Sequence, residues 1–401
     1  MERLIAVLTN TTGSRNVAQK HDFIIHIGMP KTGSSSIQHS FRSFQMPDHA
    51  YLRWTRGANH SGPFKMAFID QLKGLKRHLA TGGRSEQQMR RHRDEHRAVL
   101  KTEIEAENKP NIIISGEALY GAPPDALNQL KAALDPYAKS YRIVGYLRPP
   151  VSHAQSVFQQ ALNFGRHIIF PALPSYRRPL TKHGNVFGSS TLTIRKFSRA
   201  TLLNGDVVQD FADVINADVQ GQEILRTNES LSLEATSILA AHLRYGQHQL
   251  GYPTALTVQR YLMSLLEPVG ETKLEFQTEL AHSVLEQTKN DTDWVKSQFG
   301  ISLSEEIDPG PLAIGTPEDL LQVAAGLDQQ VRTIVCDAAA RSDTEVSAEI
   351  DNRLEQVSTH RDPAKRVAAH VDVLKDILRC DADVEHQRRR DHRRQQKRLA
   401  E

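Results

Sequence analysis

Residues 22–36 read DFIIHIGMPKTGSSS, and this stretch carries the strongest structural pattern in the chain. Its first part, up to Ile27, is a short apolar run rich in β-branched residues that stops at Gly28, which is typical of a buried strand. Apolar residues then recur at helical spacing between residues 37 and 44. The stretch therefore predicts a strand, a glycine loop and a helix, a turn whose free backbone N–H groups and positive dipole end favour an anion.

The position of the lysine in this loop decides which kind of anion site it resembles. A nucleoside triphosphatase P-loop has lysine directly after its second glycine, because that side chain must reach the terminal phosphates. Here Ser34 follows Gly33, and the lysine, Lys31, comes two residues before that glycine. The usual triphosphatase motif is therefore not met. A P-loop nucleotide kinase, the first alternative, would need Lys in place of Ser34 and an acidic magnesium ligand.

Further apolar runs predict the rest of a sheet. They lie at residues 111–115, 141–147 and 191–197. Segments with helical patterns separate or follow them, at residues 86–107, 151–162 and 207–215. Strands that alternate with helices favour a mostly parallel sheet. The predicted fold class is α/β, with a P-loop-type parallel sheet flanked by helices and a helical C-terminal extension.

Two segments resemble the donor-binding motifs of sulfotransferases that use 3′-phosphoadenosine-5′-phosphosulfate. Residues 30–35, PKTGSS, are similar to the family's 5′-phosphosulfate loop. Leu147-Arg148-Pro149-Pro150, with Ser156 eight residues beyond Arg148, is similar to its 3′-phosphate motif. His153 stands where many members have a second arginine. The resemblance extends over about residues 20–305, and only these two motifs are specific.

The resemblance implies a sulfotransferase-like fold, no bound metal, and transfer of a sulfuryl group from this donor to a hydroxyl or amine acceptor. It assigns to Lys31 the neutralisation of charge on the bridging oxygen as the bond between phosphate and sulfate breaks. Arg148 and Ser156 are expected to converge on the 3′-phosphate beside the first loop. The predicted donor-binding residues are Lys31, Thr32, Gly33, Ser34, Ser35, Ser36, Arg148 and Ser156.

Two residues are candidates for the base that takes the acceptor proton, a role that the resembled family gives to Glu or His. Glu117 is the first, because it follows the predicted strand 111–115 and should lie on the ligand-bearing edge of the sheet. His60 is the second, since bacterial relatives often have a histidine facing the acceptor in this region. A lone histidine among 18 is a weaker indication than a carboxylate at a strand end.

Composition limits the function further. The net charge of the 401-residue chain is only +3, so the molecule as a whole is not patterned for a polyanionic partner, and no nucleic acid is expected. The two cysteines, Cys336 and Cys380, lie apart from any metal-binding spacing. We expect no metal site, no disulfide framework, no transmembrane segment and no signal peptide, and hence a cytoplasmic location.

The predicted organisation has three parts: a leader at residues 1–20, a sulfotransferase-like domain at 21–305, and a helical extension at 312–401. The boundary before the extension is placed at the helix-breaking sequence Asp308-Pro309-Gly310-Pro311. The extension is expected to hold two or three amphipathic helices between residues 317 and 380. Its end, from Arg388 to Arg398, is strongly basic and lacks the aromatic residues of a single-strand binder.

The acceptor remains open at this stage, with a glycan, a lipid head group or a small alcohol as candidates, and so does the oligomeric state. A second alternative function is a non-catalytic sulfotransferase-like module that binds partners through its helical region. The presence of Lys31 disfavours that alternative.

Overall fold

The computed structural model describes residues 19–69, 85–163, 165, 170–226, 231–246, 254–342 and 347–400, with backbone only at 254–256, 347–348 and 383–400. The chain forms two compact units, each built from separate segments. Residues 1–148, 176–227 and 297–301 form the first unit, and residues 149–175, 228–296 and 302–401 form the second. The predicted leader lies outside the described residues except for Gln19 and Lys20.

A five-stranded, all-parallel sheet forms the centre of the first unit, in the order β2-β3-β1-β4-β5. The strands are β1 (His21–Ile27), β2 (His49–Tyr51), β3 (Asn111–Gly116), β4 (Ala138–Leu147) and β5 (Leu192–Lys196). The four predicted strands are therefore confirmed. The short edge strand β2 was not predicted. It pairs with β3 through His49, Ala50 and Tyr51.

Helices surround the sheet and make up the second unit. In chain order they are α1 (Ser34–Ser43), α2 (Ser61–Phe68), α3 (Glu86–Glu105), α4 (Glu117–Tyr120), α5 (Pro124–Leu134), α6 (Pro150–Asn163), α7 (Arg177–Phe187), α8 (Val207–Ile215), α9 (Leu233–Tyr245), α10 (Thr254–Leu266), α11 (Thr278–Phe299), α12 (Pro317–Ala325), α13 (Asp328–Arg341), α14 (Ser347–Ser358) and α15 (Pro363–Ala400).

Both faces of the sheet are covered, because alternate side chains of its buried strands point to opposite sides. On one face, Ile24 and Val144 belong to an apolar cluster with Phe41 of α1 and Phe211 of α8. On the other face, the ring of Tyr141 contacts Phe187 of α7. The predicted α/β class, a parallel sheet flanked by helices with a helical C-terminal region, is confirmed.

The order of the strands brings three loops together at one edge of the sheet. β1 is central, with β3 on one side and β4 on the other, so the connection from β3 to β4 crosses it. Parallel strands end at a common edge, and ligands of open α/β sheets bind outside the carboxyl ends where the strand order reverses. The residues that follow β1, β3 and β4 therefore lie at the edge of the sheet where a ligand site is expected.

The second unit is helical and has its own core. Apolar residues of α9 and α10, such as Ile238 and Leu262, belong to one buried cluster with residues of α12 to α15, such as Val335 and Leu374. A second cluster joins α6, α9, α11 and α12 around Phe158.

Two predictions about this region need correction. The range 317–380, expected to hold two or three helices, contains α12, α13, α14 and the first part of α15. The expected boundary near residues 308–311 does not coincide with the division of the structure, because residues 228–296 pack with the C-terminal helices. The described residues after 311 thus belong to the same compact unit as α9 and α10.

Within the described ranges, no helix combines the length and the apolar character that crossing a membrane requires.

Candidate active site

The loop after β1 is tightly folded and contains two residues with left-handed backbone conformation. Lys31 has φ of 66° and Gly33 has φ of 71°. The hydroxyl of Thr32, which is fully buried, donates to the Met29 carbonyl at 2.7 Å and closes the turn from inside. A Cβ added at Gly28 would overlap the Ser34 hydroxyl, so glycine is required for the chain to pass this close. The loop is therefore a fixed backbone cradle.

The N-terminus of α1 points into this cradle. Gly33 is the N-cap residue, and within the described part of the chain no side chain caps the helix. The Ser34 hydroxyl is buried and, among the described residues, has no hydrogen-bond partner. Uncapped N–H groups, a helix dipole and hydroxyl donors at one point together form an arrangement that can hold a phosphate or sulfate.

Arg148, the first residue after β4, lies against this loop. Its Nη1 donates to the Lys31 carbonyl oxygen at 2.9 Å, and its guanidinium carbon lies 5.9 Å from the ring centroid of Phe197. Its own carbonyl accepts a hydrogen bond of 2.7 Å from the hydroxyl of Tyr176, which is fully buried. Arg148 thus supports the strained backbone of Lys31 besides adding positive charge.

Sequence reasoning placed Arg148 here but missed these two aromatic neighbours. Phe197 directly follows β5 and its N–H bonds the Leu147 carbonyl at 2.8 Å, so its place at the end of a predicted strand was an available indication. Tyr176 precedes α7 and has no pattern around it that marks it.

Glu117, the first residue of α4, is held beside the loop by close backbone packing. A Cβ added at Gly116 would lie 2.9 Å from the Ser61 nitrogen, so glycine allows the start of α2 to approach the end of β3. The Ser61 hydroxyl accepts from the Ala118 N–H at 3.0 Å. Glu117 therefore lies at the start of α4, where a hydrogen bond joins α4 to α2.

The charged side chains of Lys31, Arg148 and Glu117 interact electrostatically at this edge of the sheet. Burial lowers the pKa of Lys31, the neighbouring Arg148 lowers it further, and Glu117 opposes both effects. Burial raises the pKa of Glu117, against the opposing effects of Lys31 and Lys65. A half-buried ammonium and a half-buried carboxylate with pKa values shifted toward neutrality are typical of groups that stabilise or move charge in a reaction.

His60, the second candidate base, lies near Glu117 in the fold but is fully buried. Its Nε2 lies 2.9 Å from the Leu52 carbonyl, and its Nδ1 lies 3.1 Å from the Ser115 nitrogen. Nε2 must therefore donate and Nδ1 must accept from the Ser115 N–H, which fixes a neutral imidazole. Burial lowers its pKa to about 4. The structure does not bring this ring to the surface of the site.

Ser156 lies in the second unit, on α6, where it is buried and its hydroxyl has no hydrogen-bond partner among the described residues. Its convergence with Arg148 on a phosphate stays a prediction.

The basic segment from Arg388 to Arg398 is part of helix α15. In the described portion of the chain, no three His, Cys, Asp or Glu side chains are grouped as metal ligands.

Comparison with known proteins gives little further information. No protein-family model matches the chain, and no curated protein matches its sequence. Among solved structures, the chain is similar to the crystal structure of a sulfotransferase from Alicyclobacillus acidocaldarius, with 14% identity and a TM-score of 0.34. The alignment covers 70% of this chain and 96% of that one. A likeness this distant assigns neither a family nor a reaction, and the resemblance of the two motifs stays a prediction.

Proposed function

We propose that this chain is a sulfotransferase that moves a sulfuryl group from 3′-phosphoadenosine-5′-phosphosulfate to a hydroxyl or amine acceptor. The observation that carries the proposal is the grouping of Lys31, Glu117 and Arg148 after three adjacent parallel strands, around an uncapped helix N-terminus. An anion-binding loop, a partly desolvated ammonium and a carboxylate of raised pKa are the three parts that such a transfer requires.

The proposed division of labour follows from the charges that develop. The acceptor oxygen bonds to sulfur while the bond between sulfur and the bridging phosphate oxygen breaks, which releases the 3′,5′-bisphosphate of adenosine. The Lys31 ammonium neutralises negative charge on that bridging oxygen, and the N–H groups of residues 34–36 hold the 5′-phosphate. One guanidinium N–H of Arg148 donates to the Lys31 carbonyl and so holds Arg148 against the loop. Arg148 and Ser156 are assigned the 3′-phosphate by the motif resemblance alone.

We assign the acceptor proton to the carboxylate of Glu117. Its burial and raised pKa make it a stronger base than an exposed glutamate. His60 would have to give up its bond from the Ser115 N–H before Nδ1 could take a proton.

Calorimetry tests the donor site directly. We expect the chain to bind 3′-phosphoadenosine-5′-phosphate without magnesium, and to bind ATP with magnesium at least tenfold more weakly. Tight binding of ATP-magnesium with no binding of the bisphosphate would replace this proposal by the nucleotide kinase. Bisphosphate binding with no transfer from labelled donor to any acceptor in a broad hydroxyl and amine panel would favour the non-catalytic module.

Paired variants test the base. Glu117→Gln is expected to lower kcat about 10²- to 10⁴-fold, the usual contribution of a general base, with bisphosphate affinity unchanged. His60→Gln, whose amide can still donate and accept, should keep kcat within about threefold, since a structural hydrogen bond is not part of the proton transfer. A fully active Glu117→Gln enzyme would remove Glu117 from the mechanism.

A further inference from the structure

The helical second unit contains a pocket of about 170 Å³. Helices α6, α9 and α12 line it together with Phe170, and the buried side chains among its lining include Phe158, Ala240 and Leu320. The rings of Phe158 and Phe170 pack edge to face, with 4.6 Å between their centroids. Protein cores contain few voids larger than a water molecule, and an apolar cavity of about 150 Å³ holds benzene. This pocket is therefore large enough for a phenyl ring or a branched aliphatic side chain.

Two side chains of opposite charge, Arg244 and Glu318, also line the pocket. Both are exposed, whereas Phe158 and Leu320 are buried, so the charges lie at the mouth and the apolar groups inside. Among the described residues, neither charge forms an ion pair with the other or with a third residue. The guanidinium carbon of Arg244 lies 5.8 Å from the ring centroid of Tyr245. The mouth thus offers one cation and one anion to a ligand.

The charges at the mouth select among ligands with an apolar body. A carboxylate suits the forked donors of Arg244, and an ammonium suits the carboxylate of Glu318. A ligand with only one of these groups also meets a like charge, since both residues line the same pocket. A free α-amino acid has both groups on one carbon atom, directly beside its side chain. It is therefore the class of small molecule that complements the inside and the mouth together.

We propose that this pocket binds an α-amino acid whose apolar side chain is about the size of that of phenylalanine or leucine. The side chain enters between α6, α9 and α12, and the carboxylate and ammonium stay at the mouth, on Arg244 and Glu318. Burial of the apolar side chain provides most of the affinity, because exposed ion pairs contribute little, and the charges provide selectivity. The site does not depend on the proposed function, since none of its residues is assigned to sulfuryl transfer.

Calorimetry with four related probes tests the chemistry of the ligand. L-phenylalanine is compared with phenylpropanoate, which lacks the ammonium, with phenylethylamine, which lacks the carboxylate, and with L-alanine, which lacks the ring. L-phenylalanine is expected to bind at least fivefold more tightly than either singly charged probe, and L-alanine should show no detectable binding. No binding of L-phenylalanine, or equal affinity for the three probes that contain a ring, overturns the proposal.

Two charge variants connect the binding to this pocket. Arg244→Gln should weaken L-phenylalanine and phenylpropanoate at least fivefold and leave phenylethylamine no weaker. Glu318→Gln should weaken L-phenylalanine and phenylethylamine and leave phenylpropanoate no weaker. Each charge also suits its own helix end, the last turn of α9 or the first turn of α12, but a loss of helix stability would weaken all three probes alike.

The matched controls are Arg260→Gln and Glu286→Gln, changes of exposed residues on α10 and α11 that do not line the pocket. Both should bind L-phenylalanine within twofold of the wild type. A loss in these controls equal to the loss in Arg244→Gln and Glu318→Gln would show that the amino acid binds elsewhere, which overturns the proposal.

The inside of the pocket is tested from α9. Ala240→Leu places a larger apolar side chain in the space proposed for the ligand, and it should abolish binding of L-phenylalanine without lowering the thermal unfolding midpoint. If that variant unfolds, Ala240→Val makes the same change on a smaller scale and should weaken binding at least threefold. A folded variant of either kind that binds L-phenylalanine as tightly as the wild type excludes the pocket as its site.

Discussion

Lys31 has a φ of 66°, a left-handed backbone conformation that residues other than glycine rarely adopt. The left-handed region costs an L-residue roughly 1–2 kcal/mol. Such strain persists where the surrounding structure enforces it, often at functional sites. Here the bond from Arg148 to the Lys31 carbonyl provides part of that enforcement. The protein therefore keeps a lysine at a position that glycine would fill at lower cost.

This strain predicts a difference between two variants that both lack the ammonium. Lys31→Gly should have a free energy of unfolding up to about 1 kcal/mol higher than Lys31→Ala, because glycine relieves the strain but has more freedom in the unfolded chain. Both variants should lose transfer activity. Urea unfolding at pH 7 measures the difference, and an alanine variant more stable than the glycine variant would contradict the assignment of strain.

Glu117 should make the stability of the protein depend on pH. Because its pKa is raised in the folded state, its contribution to stability is present below the unfolded pKa and is lost as pH rises through the folded value. Glu117→Gln should therefore be more stable than the wild type at pH 7, and the difference should shrink toward pH 4.

Urea unfolding at the two pH values measures this dependence. The control is Glu223→Gln, a change of an exposed glutamate in the same unit, which should leave the stability unchanged at both values. A Glu117→Gln variant that is less stable than the wild type at pH 7 would show that the carboxylate stabilises the fold.

The sequence indicated which residues follow the strands, but not which of them are accessible. Glu117 and His60 were both expected at the site, and the structure puts the carboxylate half-exposed beside Lys31 and the imidazole fully inside. The state of His60 depends on the Leu52 carbonyl and the Ser115 amide. Ser115 is 55 residues away in sequence, so no local pattern can predict its contact with His60.

At the scale of elements, Gly33 joins the anion loop to α1 and packs against α8. A Cβ added there would lie 2.7 Å from Cγ1 of Val207, and its φ of 71° disfavours any other residue. The glycine is therefore required both by its backbone angle and by the approach of a neighbouring helix.

Gly33→Ala is expected to lower the free energy of unfolding by at least about 1–2 kcal/mol and to weaken bisphosphate binding, because the helix N-terminus must shift. Gly62→Ala is the matched control, since Gly62 lies in α2 with open space around its Cα. That change should stabilise the protein by about 0.4–1 kcal/mol. Equal stabilities of the two variants, measured in urea, would show that the loop adapts to a Cβ.

The strands that were predicted are those whose own residues mark them. β1, β3 and β4 contain runs of Ile and Val that are buried on both faces, and such runs read as strands without any partner. β2 is three residues long and includes His49, whose Nε2 bonds the Ile215 carbonyl. It is a strand because β3 lies beside it, so only the assembled sheet reveals it.

At the scale of the whole molecule, proline and glycine near residue 309 suggested a domain boundary, but the packing follows a different division. The second unit is assembled from three segments, and one of its apolar cores joins residues before the break, such as Ile238 and Val258, to residues after it, such as Val335 and Leu374. Pro-Gly pairs mark a turn in the chain. Whether a turn separates domains depends on contacts between distant segments, which a single sequence does not display.

A chain that ends at residue 311 should therefore not fold as an independent domain. It would lack α12 to α15, so the apolar faces of α9 and α10 would be exposed to water. We expect it to bind a hydrophobic dye strongly and to lose the cooperative unfolding of the second unit.

A chain that ends at residue 386 is the control, because it lacks the basic end and keeps Ala382, the last residue of that core. It should unfold within about 2–4 °C of the full chain, a shift equivalent to about 1 kcal/mol. If the chain ending at 311 unfolds cooperatively at the same temperature as the full chain, the helices after the break are an appendage and the division into two discontinuous units is wrong.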